Sequence, residues 1–133
     1  MSAERATYLD SSAIVKLVVE EAESQALRVH LHQQETLVSS ALARTEVGRS
    51  LLRLGPEYAA RGEEILGRLD LLHISDRILR SAAGLQPAEL RSHDAIHLAT
   101  ACQLGDELDS VVTYDERIGA AARGLGLVVV APA

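Results

Sequence analysis

Short apolar runs alternate along the chain with longer stretches in which apolar residues recur at a helical spacing. The runs are rich in Leu, Val and Thr, and they lie at 6–9, 36–38, 71–74, 110–113 and 127–130. Such runs are typical of strands that are buried on both faces of a sheet. The helical stretches lie at 12–19, 22–33, 40–54, 57–69, 76–84, 92–104 and 115–124.

This alternation of strands and helices predicts an α/β fold. We expect a three-layer α/β/α sandwich with a central parallel sheet of about five strands. Gly55 and Pro56 break the helical pattern and predict a helical hairpin over 40–69. No repeat, linker or low-complexity segment divides the 133 residues, so a single domain is expected over 1–133.

Composition narrows the possible functions. The chain is 47% hydrophobic but has no Trp and no Phe, so its core must be aliphatic. The net charge of −6 argues against nonspecific wrapping of nucleic acid. No apolar stretch reaches the roughly 18 residues of a membrane-spanning helix, and no leader is recognisable. We therefore expect a cytoplasmic protein that does not enter a membrane.

Four acidic residues occupy positions where α/β folds collect reactive groups. Asp10 directly follows the first predicted strand, and Asp115 follows the fourth after one residue. Such positions meet at the carboxyl edge of a parallel sheet. Asp94 lies in the first turn of its predicted helix, and Glu46 lies at the margin of a buried helical stripe. Each acid alone has an ordinary interpretation as a helix cap, a first-turn acid or a solvated residue.

A cluster of carboxylates at one edge favours a site for divalent cations. Mg²⁺ and Mn²⁺ are hard cations that prefer oxygen ligands. A bound cation offsets the repulsion between neighbouring carboxylates. It also lowers the pKa of a bound water and stabilises the charge that develops on a phosphate under attack. The pattern therefore favours metal-dependent cleavage of a phosphodiester bond.

The segments around these acids resemble, in order, the motifs of the PIN-domain nucleases, and most closely the VapC-type toxins of bacterial toxin–antitoxin pairs. The segments are 8–13, 44–47, 92–101 and 112–115, of which 92–101 (SHDAIHLATA) is the most specific. The resemblance covers nearly the whole chain. It implies a PIN-like fold and gives no indication of which RNA is cut.

The resemblance also implies residue roles and partners. The catalytic metal ligands of a Mg²⁺- or Mn²⁺-dependent endoribonuclease would be Asp10, Glu46, Asp94 and Asp115. Ser11 and Thr113 would support these ligands through hydrogen bonds. The protein would act on RNA as the toxin component of a type II toxin–antitoxin module, and a VapB-type antitoxin would restrain it.

Two alternatives remain open at this point. His93 and His97 share a helix face and come close to the H-E-x-x-H pattern of zinc proteases, which would suggest a zinc hydrolase. No His follows His97 as a third ligand, however. The other alternative is a non-enzymatic Mg²⁺-binding α/β module of the receiver type. The single Lys of the chain, Lys16, lies in the first predicted helix rather than near the last strand, which disfavours that module.

The predicted hairpin suggests how RNA and partner proteins are contacted. Arg44 and Arg49 flank Glu46 and are the best candidates for phosphate contacts. One face of the first arm forms an apolar stripe of Ala43, Val47, Leu51 and Leu54. Further apolar residues fall outside that stripe: Leu42, Leu52, Tyr58, Ile65, Leu66 and Leu69. Exposed apolar surface usually marks an interface, so we expect a homodimer and an antitoxin segment bound near the hairpin.

Overall fold

The computed structural model describes residues 5–133 and contains one five-stranded sheet. The strands are β1 (Ala6–Leu9), β2 (Thr36–Ser40), β3 (Asp70–Leu72), β4 (Leu108–Val112) and β5 (Val129–Val130). The α-helices of this part of the chain are α1 (Ser11–Val18), α2 (Ser24–His32), α3 (Leu42–Leu51), α4 (Pro56–Leu66), α5 (Asp76–Ala83), α6 (Ser92–Cys102) and α7 (Glu116–Gly124). All strands are parallel, which confirms the predicted α/β class.

The order of the strands locates the functional edge. The strand order in the sheet is β3-β2-β1-β4-β5. The chain adds β2 and β3 on one side of β1, and then crosses over to add β4 and β5 on the other side of β1. The direction of winding therefore reverses between β1 and β4. The segments that follow these two strands diverge, and the crevice they leave is where open α/β sheets bind their ligands.

Helices cover both faces of the sheet. Leu9 and Val112 face one layer, where they pack in a single core with apolar residues of α1, α2, α3 and α4. Tyr8 and Val111 face the opposite layer, where α6 packs. Helix α7 packs on α6 through Leu98 and the apolar side of α7. Within residues 5–133, no helix has the length and apolar character that crossing a membrane requires.

The hairpin differs from its prediction in two respects. Ile65, Leu66 and Leu69 are buried, so the expectation that they add exposed surface is wrong. They join the core because α4 folds back against α1. Leu54 is 46% exposed and not part of the buried stripe, since α3 ends at Leu51 and a 3₁₀ turn follows.

Two glycines of the hairpin give a matched test of how closely its arms pack. A Cβ built on Gly62 would lie 2.6 Å from Cδ1 of the buried Leu51, whereas one built on the exposed Gly48 would meet nothing within 4 Å. We expect Gly48→Ala to stabilise the protein by about 0.5–1 kcal/mol, because Ala favours the helix. Gly62→Ala should be less stable than Gly48→Ala by about 1–3 kcal/mol because of overpacking. Chemical denaturation of both variants measures the difference, and equal stabilities would contradict the close packing.

Candidate active site

Asp10 lies at the crevice between β1 and β4 and is only 2% exposed. It caps α1, with Oδ1 accepting hydrogen bonds from the Ala13 amide at 3.1 Å and the Ser12 hydroxyl at 2.7 Å. Its Oδ2 accepts the Thr113 hydroxyl, which follows β4, at 2.6 Å. Burial raises the pKa of Asp10, and these hydrogen bonds oppose that shift. Asp10 is thus held between the two strands at which the winding reverses.

Thr113 also positions the second strand-end acid. The Asp115 amide donates to Oγ1 of Thr113 at 3.0 Å. Oδ1 of Asp115 accepts from the amides of Arg117 at 2.8 Å and Ile118 at 3.1 Å, so this carboxylate caps α7. The interpretation of Asp10 and Asp115 as helix caps is therefore correct. It does not exclude a second role, because each carboxylate keeps further lone pairs.

Asp94 comes to this edge from the start of α6. It is 4% exposed, and its Oδ1 lies 3.2 Å from Nε2 of His93. Burial raises the pKa of Asp94, and the nearby charge of Asp115 raises it further. Two carboxylates separated by 21 positions in sequence are therefore close enough to repel each other.

Glu46 comes from α3, on the opposite side of the sheet from α6. Its Oε1 accepts the Ser11 hydroxyl at 2.7 Å and lies 2.6 Å from Nε2 of His97. Burial alone would raise the pKa of Glu46, but the hydrogen bonds of His97 and Ser11 outweigh it and the pKa is lowered. Glu46 is therefore ionised at neutral pH, and Ser11 supports Glu46 rather than Asp10.

His97 and Tyr8 belong to the site although the pattern analysis did not assign them to it. His97 is 2% exposed, and its Nδ1 lies 2.7 Å from the Tyr8 hydroxyl. The sequence feature that points to His97 is its spacing, because it follows Asp94 by three positions and so shares a helix face with it. Both ring nitrogens of His97 are hydrogen-bonded within the protein, and His93 contacts Asp94 instead. This arrangement disfavours the zinc-hydrolase alternative.

The charge of the site suits a divalent cation. Among residues 5–133, no Lys or Arg forms an ion pair with any of the four acids. Two of these acids, Asp10 and Asp94, are nevertheless buried. Burying carboxylates without a cationic partner is costly, and oxygen ligands of this kind fit Mg²⁺ or Mn²⁺. In the same part of the chain no three His, Cys, Asp or Glu residues already form a metal-binding group, so a cation held by three of the carboxylates would require them to move closer together.

The arginines proposed to contact phosphate lie on the same helix as Glu46. Arg44 and Arg49 are both exposed on α3. Neither forms an ion pair with a residue that the structure describes. By contrast, Arg28 and Arg68 are paired with Glu20 and Glu64. Arg44 and Arg49 are therefore free to meet an anionic ligand.

Comparisons with known proteins agree with this geometry. The family model described as the PIN domain matches residues 7–124. Ribonuclease VapC46 of Mycobacterium tuberculosis is 54% identical over 127 residues, which are 96% of this chain and 98% of the relative. The crystal structure of VapC20 of the same species, a sarcin–ricin loop cleaving toxin, superposes with a TM-score of 0.77 at 18% identity. That alignment covers 95% of this chain and 99% of the other.

A second solved structure shares the fold. A toxin–antitoxin complex from Klebsiella pneumoniae aligns with a TM-score of 0.70 and 21% identity. The alignment covers 96% of this chain and 98% of the other. At this level of identity the two solved structures establish the fold, while the family model and the curated relative establish the kinship.

Proposed function

Because the chain belongs to the PIN-domain family and to its VapC-type ribonucleases, we propose that it is a divalent-metal-dependent endoribonuclease and the toxin of a toxin–antitoxin module. Nucleases of this type generally depend on divalent cations. The observation that carries the proposal is the group of four acids at the point where the winding of the sheet reverses, two of them buried and none of them paired with a Lys or Arg of residues 5–133.

The proposed metal ligands are Asp10, Glu46, Asp94 and Asp115, directly or through water. When bound, Mg²⁺ or Mn²⁺ would activate a water and neutralise charge on the scissile phosphate. The protein's own contribution is to hold the carboxylates in place. Thr113 holds Asp10 and the segment that bears Asp115, and Ser11 holds Glu46. The whole of 1–133 is proposed to work as one PIN-like domain.

Contacts with RNA are proposed for Arg44 and Arg49. Their guanidinium groups, which have no ion-pair partner within residues 5–133, lie on the helix that carries Glu46, so they can neutralise backbone phosphates beside the acids. This placement also answers the difficulty raised by the net charge of −6, since cations at the acids and arginines beside them give RNA a locally favourable field. We also propose that the protein is cytoplasmic, because a toxin that cuts cellular RNA must share a compartment with that RNA.

The proposal is tested by incubating the purified chain with a mixture of cellular RNAs. Internal cleavage should appear with Mg²⁺ or Mn²⁺ and stop when EDTA removes the cation. Mapping the new RNA ends would identify the target. Cleavage that continues undiminished in EDTA would contradict the metal dependence.

A homodimer and an antitoxin complex are proposed at the hairpin. Leu52, Leu54 and Tyr58 are exposed by 65%, 46% and 37%, and they cluster where α3 turns into α4. We expect Leu52→Glu to weaken self-association by about tenfold or more, because it places a charge in an apolar interface. Light scattering over a concentration series measures the effect.

The matched control for this variant is Leu79→Glu. Leu79 is 45% exposed on α5, away from the hairpin, and its replacement should leave the dimer intact. Co-expression with the product of the neighbouring gene should give a heteromeric complex that no longer cuts RNA. A wild-type chain that stays monomeric at all concentrations and ignores this neighbour would contradict the proposal.

A further inference from the structure

Glu46 is anchored through only one of its two carboxylate oxygens. The Ser11 hydroxyl, at 2.7 Å, and Nε2 of His97, at 2.6 Å, both bond to Oε1. Within residues 5–133, no protein hydrogen bond ends on Oε2. Two donors on one oxygen fix the plane and direction of the carboxylate, and they leave the other oxygen available to a cation.

His97 is itself fixed from behind by Tyr8. The Tyr8 hydroxyl lies 2.7 Å from Nδ1, and the two rings meet edge to face with centroids 5.9 Å apart. An ionised Glu46 can only accept hydrogen bonds, so Nε2 must carry a proton. The Tyr8 hydroxyl contacts the ring from its other side, at Nδ1, and so fixes its orientation with Nε2 directed at Glu46.

The location of these residues suggests more than packing. Tyr8 precedes Asp10 by two positions on β1, and His97 follows Asp94 by three positions on α6. The hydrogen bonds that link Tyr8, His97 and Glu46 therefore join the three elements that bring Asp10, Asp94 and Glu46 to the site. His97 is 2% exposed and Tyr8 is 1% exposed, so solvent does not compete for the bond between these two side chains.

We propose that His97 is a positioning residue that holds Oε1 of Glu46 and presents Oε2 to the catalytic cation, with Tyr8 fixing the ring behind it. This inference rests on the proposed function, since it takes Glu46 as a metal ligand. Hydrogen-bonding partners placed behind metal ligands typically contribute about 10- to 100-fold to metal affinity or activity. Ser11 alone supplies a single rotatable donor and cannot fix the carboxylate plane in the same way.

Two amide variants of His97 separate positioning from packing. In His97→Gln the amide nitrogen can reach the place of Nε2 and donate to Glu46. In His97→Asn the shorter amide reaches only the place of Nδ1, so it keeps the Tyr8 contact and loses Glu46. Mn²⁺ binding to the RNA-free chain, measured by calorimetry, should weaken about tenfold or more in His97→Asn. His97→Gln should retain most of the affinity.

The catalytic readout follows the same pattern. The kcat of RNA cleavage should fall in His97→Asn, with KM for RNA nearly unchanged, because the histidine does not touch RNA. Equal losses of Mn²⁺ affinity in both variants would reduce His97 to a packing role and overturn the inference. A wild-type chain that binds no Mn²⁺ would instead overturn the proposed function.

Tyr8→Phe provides a second test that does not depend on whether His97→Asn folds. It keeps the ring in the core and removes only the hydroxyl that faces Nδ1. The ring of His97 then loses the contact that fixes its orientation, so Mn²⁺ affinity should fall, though less than in His97→Asn. An unchanged Mn²⁺ affinity in a Tyr8→Phe protein with a normal melting temperature would overturn the role of Tyr8. It would also overturn the inferred link from Tyr8 through His97 to Glu46.

Discussion

Neutralising any one of the four acids should remove most of the metal-dependent RNA cleavage and leave the fold intact. The variants are Asp10→Asn, Glu46→Gln, Asp94→Asn and Asp115→Asn. Groups that only support metal ligands contribute about 10- to 100-fold, so losing a ligand itself should reduce kcat/KM by more than about 100-fold. Folding should survive, because Asn caps a helix about as well as Asp at positions 10 and 115.

A matched control removes a charge elsewhere. Asp106 is exposed in the turn before β4, at the opposite end of the strand from the acids. Asp106→Asn changes the net charge by the same amount and should keep wild-type cleavage. Rates on one RNA under single-turnover conditions give the comparison, and circular dichroism verifies folding. If a single amide variant cleaves at nearly the wild-type rate, its residue is not a ligand; if all four do, the proposed mechanism is wrong.

The strand-end acids could be located from the sequence because their placement depends on local pattern. Asp10 and Asp115 follow aliphatic runs that are recognisable as parallel strands, and every such strand ends at the same edge of the sheet. The structure places both at the crevice between β1 and β4, joined through Thr113. Strand order was not visible in the pattern, so their closeness became certain only with the topology.

The surroundings of Glu46 could not be predicted in the same way. Periodicity placed Glu46 at the margin of a stripe, where its side chain could face either the site or solvent. Its orientation is decided by His97, which lies 51 positions away, and by Ser11, which lies 35 positions away. Local sequence carries no information about such partners. The buried side of α4 was mispredicted for a related reason, because Ile65 and Leu66 find their partners on α1.

Divalent cations should raise the melting temperature of the wild-type chain and have a much smaller effect on Asp94→Asn. The folded, metal-free protein holds Asp94 buried and close to Asp115, which raises the pKa of Asp94. A cation that binds the folded state relieves this repulsion. At about 100 times its dissociation constant it adds roughly 2.7 kcal/mol. For a domain of this size that corresponds to a shift of roughly 10 °C.

In the absence of metal, Asp94→Asn should be at least as stable as the wild-type protein. A carboxyl whose pKa is raised on folding stabilises the fold while it is protonated, and this contribution is lost as the pH rises through the raised pKa. At neutral pH the wild-type chain therefore bears the cost of a buried charge, and Asp94→Asn does not. We expect the metal-free variant to melt at or above the wild-type temperature, and the wild type to overtake it when Mg²⁺ or Mn²⁺ is added. Scanning calorimetry measures the melting temperatures of both proteins with added metal and with EDTA. Equal metal-induced shifts in the two proteins would place the ions away from Asp94.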